Sequence, residues 1–354
     1  MGLRTLYMMA VAGGFAFGAW AGPLERDVVD PRAAWVVHVD AEALLRSPMG
    51  PMLVKKLGEG GPGGPGDLRA LGIDPVRDLK ALTVFGRSEW TQGNDDRHDE
   101  DGVAIVTATA GADAMGAALP EAGLTAYAVS ATDGVPVHSW RSEGMGTWFA
   151  AVTPGTNADE RRVVFASRRA ELDGWIQRSK PARLELAARV DEETPALLDG
   201  ARPRTGSILF VSARGIRERM GKGRAADAGG EFAKAAESLT LDIASVPGAG
   251  GAEELAADAA VWFGDAEKAT QMTQIAQGGL AMLRVTMSGD PVTKGASDML
   301  GRVRVESEGS KMTVSARMPW ADVMAVVGPV IEVDFAEAAE EARKAGAKTS
   351  GEAR

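Results

Sequence analysis

Short runs of apolar and β-branched residues, separated by turn-forming residues, recur along most of the chain. The segment 34–40 (Ala-Trp-Val-Val-His-Val-Asp) is typical of a β-strand. Asp40 stands where a side chain caps a helix opening at Ala41. The same signals predict further strands at 79–85, 103–110, 135–140, 147–152, 162–166, 206–212, 239–243, 257–263, 302–307 and 311–317.

Apolar residues at steps of three or four predict helices between these strands. The longest begins after Asp265, although Gly278 and Gly279 weaken it by about 1 kcal/mol each relative to alanine. A helix capped by Asp40 has a second start at Ser47-Pro48 and runs to residue 57. The remaining predicted helices are 113–119, one capped by Ser167, and one near 321–327.

The order strand, helix, strand, strand, helix, strands occurs twice, at a separation of about 160–175 residues. This pattern predicts an α+β fold of two similar modules, each a mainly antiparallel sheet covered by helices on one face. The expected boundaries are a first module at 34–190, a linker at 191–205, and a second module at 206–333. Residues 334–354 form a charged tail that we expect to be partly disordered.

The first 21 residues have the layout of a secretory signal peptide. Arg4 gives a basic start, an apolar run follows from Leu6, and Ala19-Trp20-Ala21 places small residues before a cleavage site. We therefore expect cleavage near Ala21 and a periplasmic or secreted protein. No other run of 18 apolar residues occurs, so no membrane span is predicted for the mature chain.

The charge of the chain bears on its partners, and its cysteine content bears on its covalent modifications. The chain of 354 residues has 39 Lys and Arg against 49 Asp and Glu, a formal charge of −10. An acidic protein repels phosphate backbones, so a nucleic-acid partner is not expected. The chain has no cysteine, which excludes disulfides and a lipid-modified cysteine.

One segment resembles a known group of proteins. Residues 72–79 (Gly-Ile-Asp-Pro-Val-Arg-Asp-Leu) are similar to a Gly-x-Asp-x-x-x-Asp-Leu element in secreted bacterial proteins of unknown function. Those proteins carry the element after an early strand-helix unit and tend to be internally duplicated. The resemblance covers about 20 residues as a motif and most of the mature chain as a pattern. It implies export and a duplicated α+β fold, and it implies no activity.

The densest acidic run, 94–102, raises the question of a metal site. Its carboxylates would suit a hard cation such as calcium. The spacing does not match a twelve-residue calcium loop, because Arg97 falls on the first ligand position and Ala108 on the last. A solvated loop is the simpler interpretation. The candidate ligands are Asp95, Asp96, Asp99 and Asp101.

No catalytic motif has its required context. Gly58–Gly63 matches Gly-x-Gly-x-x-Gly, but it follows a helix where a dinucleotide site needs a preceding strand. The sequence therefore favours an exported binding or structural protein of the cell envelope, without a cofactor, whose partner is another envelope protein or a small ligand. The alternative is an extracytoplasmic hydrolase or metal-dependent enzyme with a site built from dispersed residues such as His38, Asp40 and His98.

Overall fold

The computed structural model describes residues 24, 28–30, 32–58, 72–87, 102–121, 124–142, 146–179, 203–216, 235–248, 251–289 and 294–328. Within these ranges, twelve strands form one antiparallel sheet in the order β11-β12-β10-β9-β8-β1-β2-β3-β7-β6-β5-β4. The strands are β1 Trp35–Asp40, β2 Leu79–Gly86, β3 Gly102–Thr109, β4 Thr125–Thr132, β5 Val135–Ser142, β6 Gly146–Pro154, β7 Glu160–Ala166, β8 Ser207–Arg214, β9 Ala236–Pro247, β10 Glu253–Phe263, β11 Arg304–Glu308 and β12 Lys311–Pro319.

In the described ranges, seven helices connect or cover these strands. They are α1 Ala41–Arg46, α2 Gly50–Gly58, α3 Met115–Glu121, α4 Arg169–Arg178, α5 Ala266–Ser288, α6 Lys294–Leu300 and α7 320–328, and a 3₁₀ turn at Ala110–Ala114 precedes α3. No helix in the described ranges combines the length and the apolar content needed to cross a membrane.

The sequence prediction of two modules, each with its own sheet covered on one face, is wrong. β1 pairs with β8 through five residue pairs, from Trp35↔Ala213 to Val39↔Leu209, and this joins the two halves into one sheet. As first strands of separate sheets, β1 and β8 would each leave an edge with unpaired backbone groups, and their pairing removes both edges.

The strand order runs outward in the same way on both sides of this central pair. It is β1-β2-β3-β7-β6 on one side and β8-β9-β10-β12-β11 on the other. This correspondence agrees with the order of elements that predicted a duplication, and the duplication itself stays a prediction.

Helices cover both faces of the N-terminal half. Alternate residues of a strand point to opposite faces, and in β1 Val37 packs into one apolar cluster while Val36 packs into another. The first cluster includes residues of α1, α2, α3 and α7, with Leu53 and Met115 fully buried. The second includes Trp175 and Ile176 of α4. The N-terminal half is therefore a three-layer structure.

Helices cover less of the sheet in the C-terminal half. α5 packs on β10, β11 and β12 through Ala269 and Met272, which join Phe263 and Val305 in a third apolar cluster. Most other residues of α5 are exposed. The opposite face of these strands carries polar side chains, such as Asp258 and Lys311, and Lys311 Nζ lies 5.6 Å from the centre of the Trp262 ring.

The segment 72–79 that carries the resemblance forms a turn anchored by two carboxylates. Asp74 Oδ1 accepts hydrogen bonds from the N–H groups of Val76 (2.9 Å) and Arg77 (3.3 Å). Asp78 accepts from the Asp74 N–H and from the Thr109 hydroxyl, both at 2.9 Å. Gly72 has a φ of +80°, where a side chain is strained. The motif is thus explained by the backbone of this turn, which leads into β2.

Most predicted elements are confirmed within one to four residues at each end. Asp40 and Asp265 cap α1 and α5 as predicted, through Asp40 Oδ1 with the Ala43 N–H (2.6 Å) and Asp265 Oδ1 with the Lys268 N–H (2.7 Å). The N-cap of α4 is Arg168, so the prediction of Ser167 is wrong. The helix expected to end before Pro120 continues to Glu121. β4 and α6 were not predicted.

The two capping aspartates are expected to respond in opposite ways to amide substitution. Burial raises the pKa of Asp40 to about 6, although the Ala43 N–H and Arg46 favour its charged form. The folded protein then holds this proton more tightly than the unfolded chain, so the free energy of unfolding falls as pH rises from about 4 to about 6. Asp40→Asn keeps the acceptor and removes the charge, and we expect it to stabilise the protein by about 1–2 kcal/mol at pH 8 and hardly at pH 4.

Asp265→Asn is the matched control. The pKa of Asp265 is lowered, chiefly by the hydrogen bond from the Lys268 N–H, so loss of its charge is expected to lower stability at neutral pH. Urea unfolding of both variants at pH 4 and pH 8 measures the two effects. A loss of stability in Asp40→Asn at pH 8 contradicts the assigned pKa of Asp40.

Candidate functional site: an uncharged edge of the sheet

The two outer strands of the described sheet differ in the features that prevent pairing with another chain. An edge strand presents free N–H and C=O groups, and proteins protect such edges with charged residues, proline or bulges. β11 is short and carries Arg304, Glu306 and Glu308, all exposed. β4 has eight residues and no charge (Thr-Ala-Tyr-Ala-Val-Ser-Ala-Thr). Of the two, β4 is the edge that is open to a further strand.

β4 is also exposed on its faces. Six of its eight residues are exposed, and Val129 exposes 56% of its surface. In the described part of the chain, β5 is the strand that pairs with β4, from Thr125↔Arg141 to Thr132↔Val135. The other side of β4 therefore has no described neighbour.

A tight turn and a bulge set the shape of this edge. Asp133 and Gly134 join β4 to β5 with φ values of +52° and +83°, the two-residue turn with both central residues left-handed that suits the twist of a hairpin. At the other end, the pairing shifts between Thr125 and Ala128, and Ala126 has a φ of +53°. Alanine in this conformation is strained, so surrounding contacts must hold it.

The Tyr127–His138 pair supplies one of these contacts. The Tyr127 hydroxyl and His138 Nδ1 are 2.7 Å apart, a hydrogen bond whose direction follows the tautomer of the imidazole. Burial lowers the pKa of His138 and raises the pKa of Tyr127, so both groups are neutral at neutral pH. A Cβ atom at Gly116 of α3 would lie 3.6 Å from His138 Cε1. Helix α3 thus covers the imidazole edge, and the pair acts as a brace for the bulge.

Helix α4 braces the same strand from the opposite face. Arg169 donates to the Ser130 hydroxyl (2.6 Å), to the Thr132 hydroxyl (2.6 Å) and to Asp173 (2.7 Å). The Thr132 hydroxyl donates in turn to Asp173 at 2.5 Å. β4 is therefore held in place on both faces, while no strand of the described ranges pairs with its outer edge.

A second cluster of charged groups surrounds Asp30, which is 2% exposed. Its carboxylate accepts hydrogen bonds from the Arg32 N–H (2.8 Å) and from Arg87, and Arg178 Nη1 lies 3.2 Å from Asp30 Oδ2. Burial alone would raise the pKa of Asp30, but Arg87, Arg32 and Arg178 hold it below its usual value.

The cavity beside this cluster has a volume of about 10 Å³, room for a single water molecule at most. The cluster therefore has no space for a substrate. Its contacts attach the segment before β1 to the end of α4.

The described structure places two of the three residues proposed for a hydrolytic site. His38 is 3% exposed in the centre of the sheet, and its Nδ1 lies 2.9 Å from Thr83 Oγ1. Asp40 caps α1. His98 and the proposed calcium ligands Asp95, Asp96, Asp99 and Asp101 lie outside the described residues. The described ranges contain no group of three or more His, Asp or Glu side chains placed to hold a metal ion.

Sequence reasoning missed β4, although a signal for it exists. Asp133-Gly134 is a strong hairpin signal when alternating residues flank it. The preceding segment alternates weakly, because four of its eight residues are alanine or serine. Small residues carry little information about burial, so the segment was not predicted as a strand.

No family model, curated protein or solved structure matches this chain.

Proposed function

We propose that this protein is an exported, non-enzymatic binding protein of the cell envelope that captures an extended, uncharged polypeptide segment of another envelope protein on strand β4. The observation that carries the proposal is the contrast between the uncharged, exposed β4 and the charged β11. Strand addition satisfies the free backbone groups of an edge and needs neither a deep pocket nor catalytic side chains.

The rigidity of β4 supports this function. Its backbone is braced through Tyr127 on one face and through Ser130 and Thr132 on the other. A strand that is already ordered loses little conformational entropy on binding, so more of the backbone hydrogen-bond energy contributes to affinity. The small side chains of β4 also leave room for those of an incoming strand.

The specificity of such an edge rests on charge and shape. A partner strand places every second side chain beside Tyr127, Val129 and Ala131 on one face of the sheet. These side chains are apolar or aromatic, and a charged residue opposite them would lose solvation without gaining a partner. The preferred ligand is therefore an alternating sequence with few charges.

A peptide selection with matched edge variants tests the proposal. Random octapeptides displayed on phage are selected on the purified protein, and the affinity of the best peptide is then measured. We expect Val129→Lys to weaken binding at least tenfold, because its ammonium group would lose hydration beside an uncharged strand without gaining a partner. Glu306→Lys adds a lysine at the other edge and is expected to leave the affinity unchanged.

Backbone protection locates the bound peptide. The amide hydrogens of residues 126–131 are expected to exchange more slowly in the complex, while those of β11 stay unchanged.

Peptides that bind Val129→Lys as well as the parent, or protection confined to β11, would overturn the proposal. Cleavage of the bound peptide would favour the hydrolase alternative. A dimer that Val129→Lys dissociates would assign the edge to a second copy of this chain.

A further inference from the structure

The longest helix, α5, presents an apolar surface that does not contact the rest of the described chain. Six large hydrophobic side chains of the described residues are exposed, and four of them lie on α5. These are Ile275 (63%), Met282 (73%), Leu283 (51%) and Val285 (75%). No charged residue occurs between Lys268 and Arg284, although most of this span is exposed. Monomeric proteins rarely leave such a concentration of apolar side chains uncovered.

Two of these residues, Ile275 and Met282, lie along one flank of the helix, and Leu283 and Val285 lie on either side of it. Ile275, Gly278, Gly279 and Met282 follow each other at steps of three, one and three residues, and we call them the α5 stripe. The buried flank instead contains Ala269, Met272 and Thr273. A third flank contacts neighbouring elements, since Gln277 donates to the Val305 carbonyl (2.8 Å) and Ser297 of α6 donates to the Arg284 carbonyl (3.2 Å). The α5 stripe points away from these contacts.

Two adjacent glycines lie at the centre of the stripe. Each lowers helix stability relative to alanine, so their presence indicates a benefit that offsets this loss. A Cβ atom at Gly278 or Gly279 would have no neighbour within 4 Å, so the fold of one chain does not require glycine at either position. A glycine pair on a helix surface does allow another backbone to approach closely.

We infer that the α5 stripe is the interface between two copies of this chain, with the two α5 helices antiparallel and crossing at Gly278 and Gly279. The stripe is self-complementary about this point. An antiparallel pair centred between the glycines brings Ile275 opposite Met282 of the partner subunit and Gly278 opposite Gly279 of the partner subunit. A two-fold axis requires this kind of self-matching surface, because the same residues contact each other from both sides.

The charges at the ends of the stripe agree with the same arrangement. In this register Lys268 lies opposite Gly289 of the partner subunit and Arg284 opposite Thr273 of the partner subunit. Like charges therefore do not meet, and the uncharged segment 274–283 pairs with the same segment of the partner subunit. A partner of another kind would need the complementary pattern, whereas a second copy already has it.

The expected dimer is weak. Stable dimers bury about 800 Å² on each partner, and one flank of one helix offers less than this area. We therefore expect dissociation in the micromolar range, about 1–100 μM. The interface involves the end of the sheet opposite β4, so it is independent of peptide capture at that edge.

Sedimentation velocity of the purified protein between 1 and 300 μM tests the dimer. We expect a concentration-dependent shift from monomer to dimer, and Met282→Lys should weaken it at least tenfold. The adjacent Ala281→Lys adds the same charge on a different flank of the helix and should leave the dimer intact. Val129→Lys, which tests the β4 edge, should also leave it intact, so failure of one proposal is distinguishable from failure of the other.

Gly278→Leu distinguishes a role of this glycine in dimerisation from a role in the stability of the monomer. Leucine favours the helix, and a Cβ atom at this position has no neighbour within 4 Å in the monomer, so the melting temperature should stay the same or rise. The same side chain blocks close approach of the second helix, so dimerisation should be lost. A protein that stays monomeric at 300 μM, or a dimer insensitive to both Met282→Lys and Gly278→Leu, overturns the proposal. Binding to anionic phospholipid vesicles that Met282→Lys abolishes, without a dimer, would assign the stripe to a membrane surface instead.

Discussion

Replacing Asp30 with alanine is expected to lower the free energy of unfolding by about 3 kcal/mol, the largest effect predicted for a single substitution in this protein. The Asp30 carboxylate is buried among the guanidinium groups of Arg87, Arg178 and Arg32. Without it, these cations repel each other close to the apolar core that contains Trp175. Removing one member of a buried ion pair typically costs about 3–5 kcal/mol, and the partial exposure of the arginines places Asp30 at the lower end.

A double-substitution cycle and the pH dependence of stability test whether the loss of stability in Asp30→Ala is electrostatic. Arg178→Met in the Asp30→Ala background should restore part of the stability, because burial and the neighbouring arginines already lower the pKa of Arg178. The folded-state pKa of Asp30 is depressed, so its contribution is present above the unfolded pKa of about 4 and is lost as pH falls through the folded value. The difference between parent and Asp30→Asn should thus shrink towards pH 3. An equal difference at pH 3 and pH 7 would contradict the electrostatic explanation.

Replacing Asp78 with alanine is expected to lower the free energy of unfolding by about 2–3 kcal/mol. The side chain is 3% exposed and accepts hydrogen bonds from the Asp74 N–H, the Thr109 hydroxyl and the Arg77 guanidinium. Alanine leaves the first two donors without their partner at the start of β2, and an unsatisfied buried donor costs about 1–3 kcal/mol. Gly111 packs beside the carboxylate, which limits how the site can rearrange.

Arg77→Ala removes the ion pair with Asp78 and keeps the hydrogen bonds of the turn, so it separates their contributions to stability. The Arg77 hydrogen bond is the main cause of the lowered pKa of Asp78, yet the Arg77 side chain is 75% exposed. Solvent screens such a pair, so Arg77→Ala should change stability by less than about 1 kcal/mol. Thr109→Val, which removes a half-buried donor, should cost about 1 kcal/mol. A larger effect from Arg77→Ala than from Asp78→Ala in urea unfolding would contradict this assignment.

The local elements of this protein were largely predictable from its sequence. The capped starts of α1 and α5 follow from Asp40 and Asp265, because an aspartate before a periodic apolar segment satisfies free N–H groups of the first turn. The strands with β-branched residues were also recognised. β4 was missed because its alanines and serines carry no burial pattern, and it forms the candidate site.

The sequence alone determined where most of the described strands and helices form, because hydrophobic periodicity and capping act over a few residues. The pairing of β1 with β8, about 170 residues apart, was decided by the tertiary structure, since periodicity does not specify which strand pairs with which. β1 does contain a hint, because Trp35, Val36 and Val37 are consecutive apolar residues, as in a central strand buried on both faces. The tertiary structure also decided which strands lie at the edges of the sheet. Whether an uncharged strand such as β4 is a core strand or a binding edge depends on what pairs with it, and that is a property of the whole sheet.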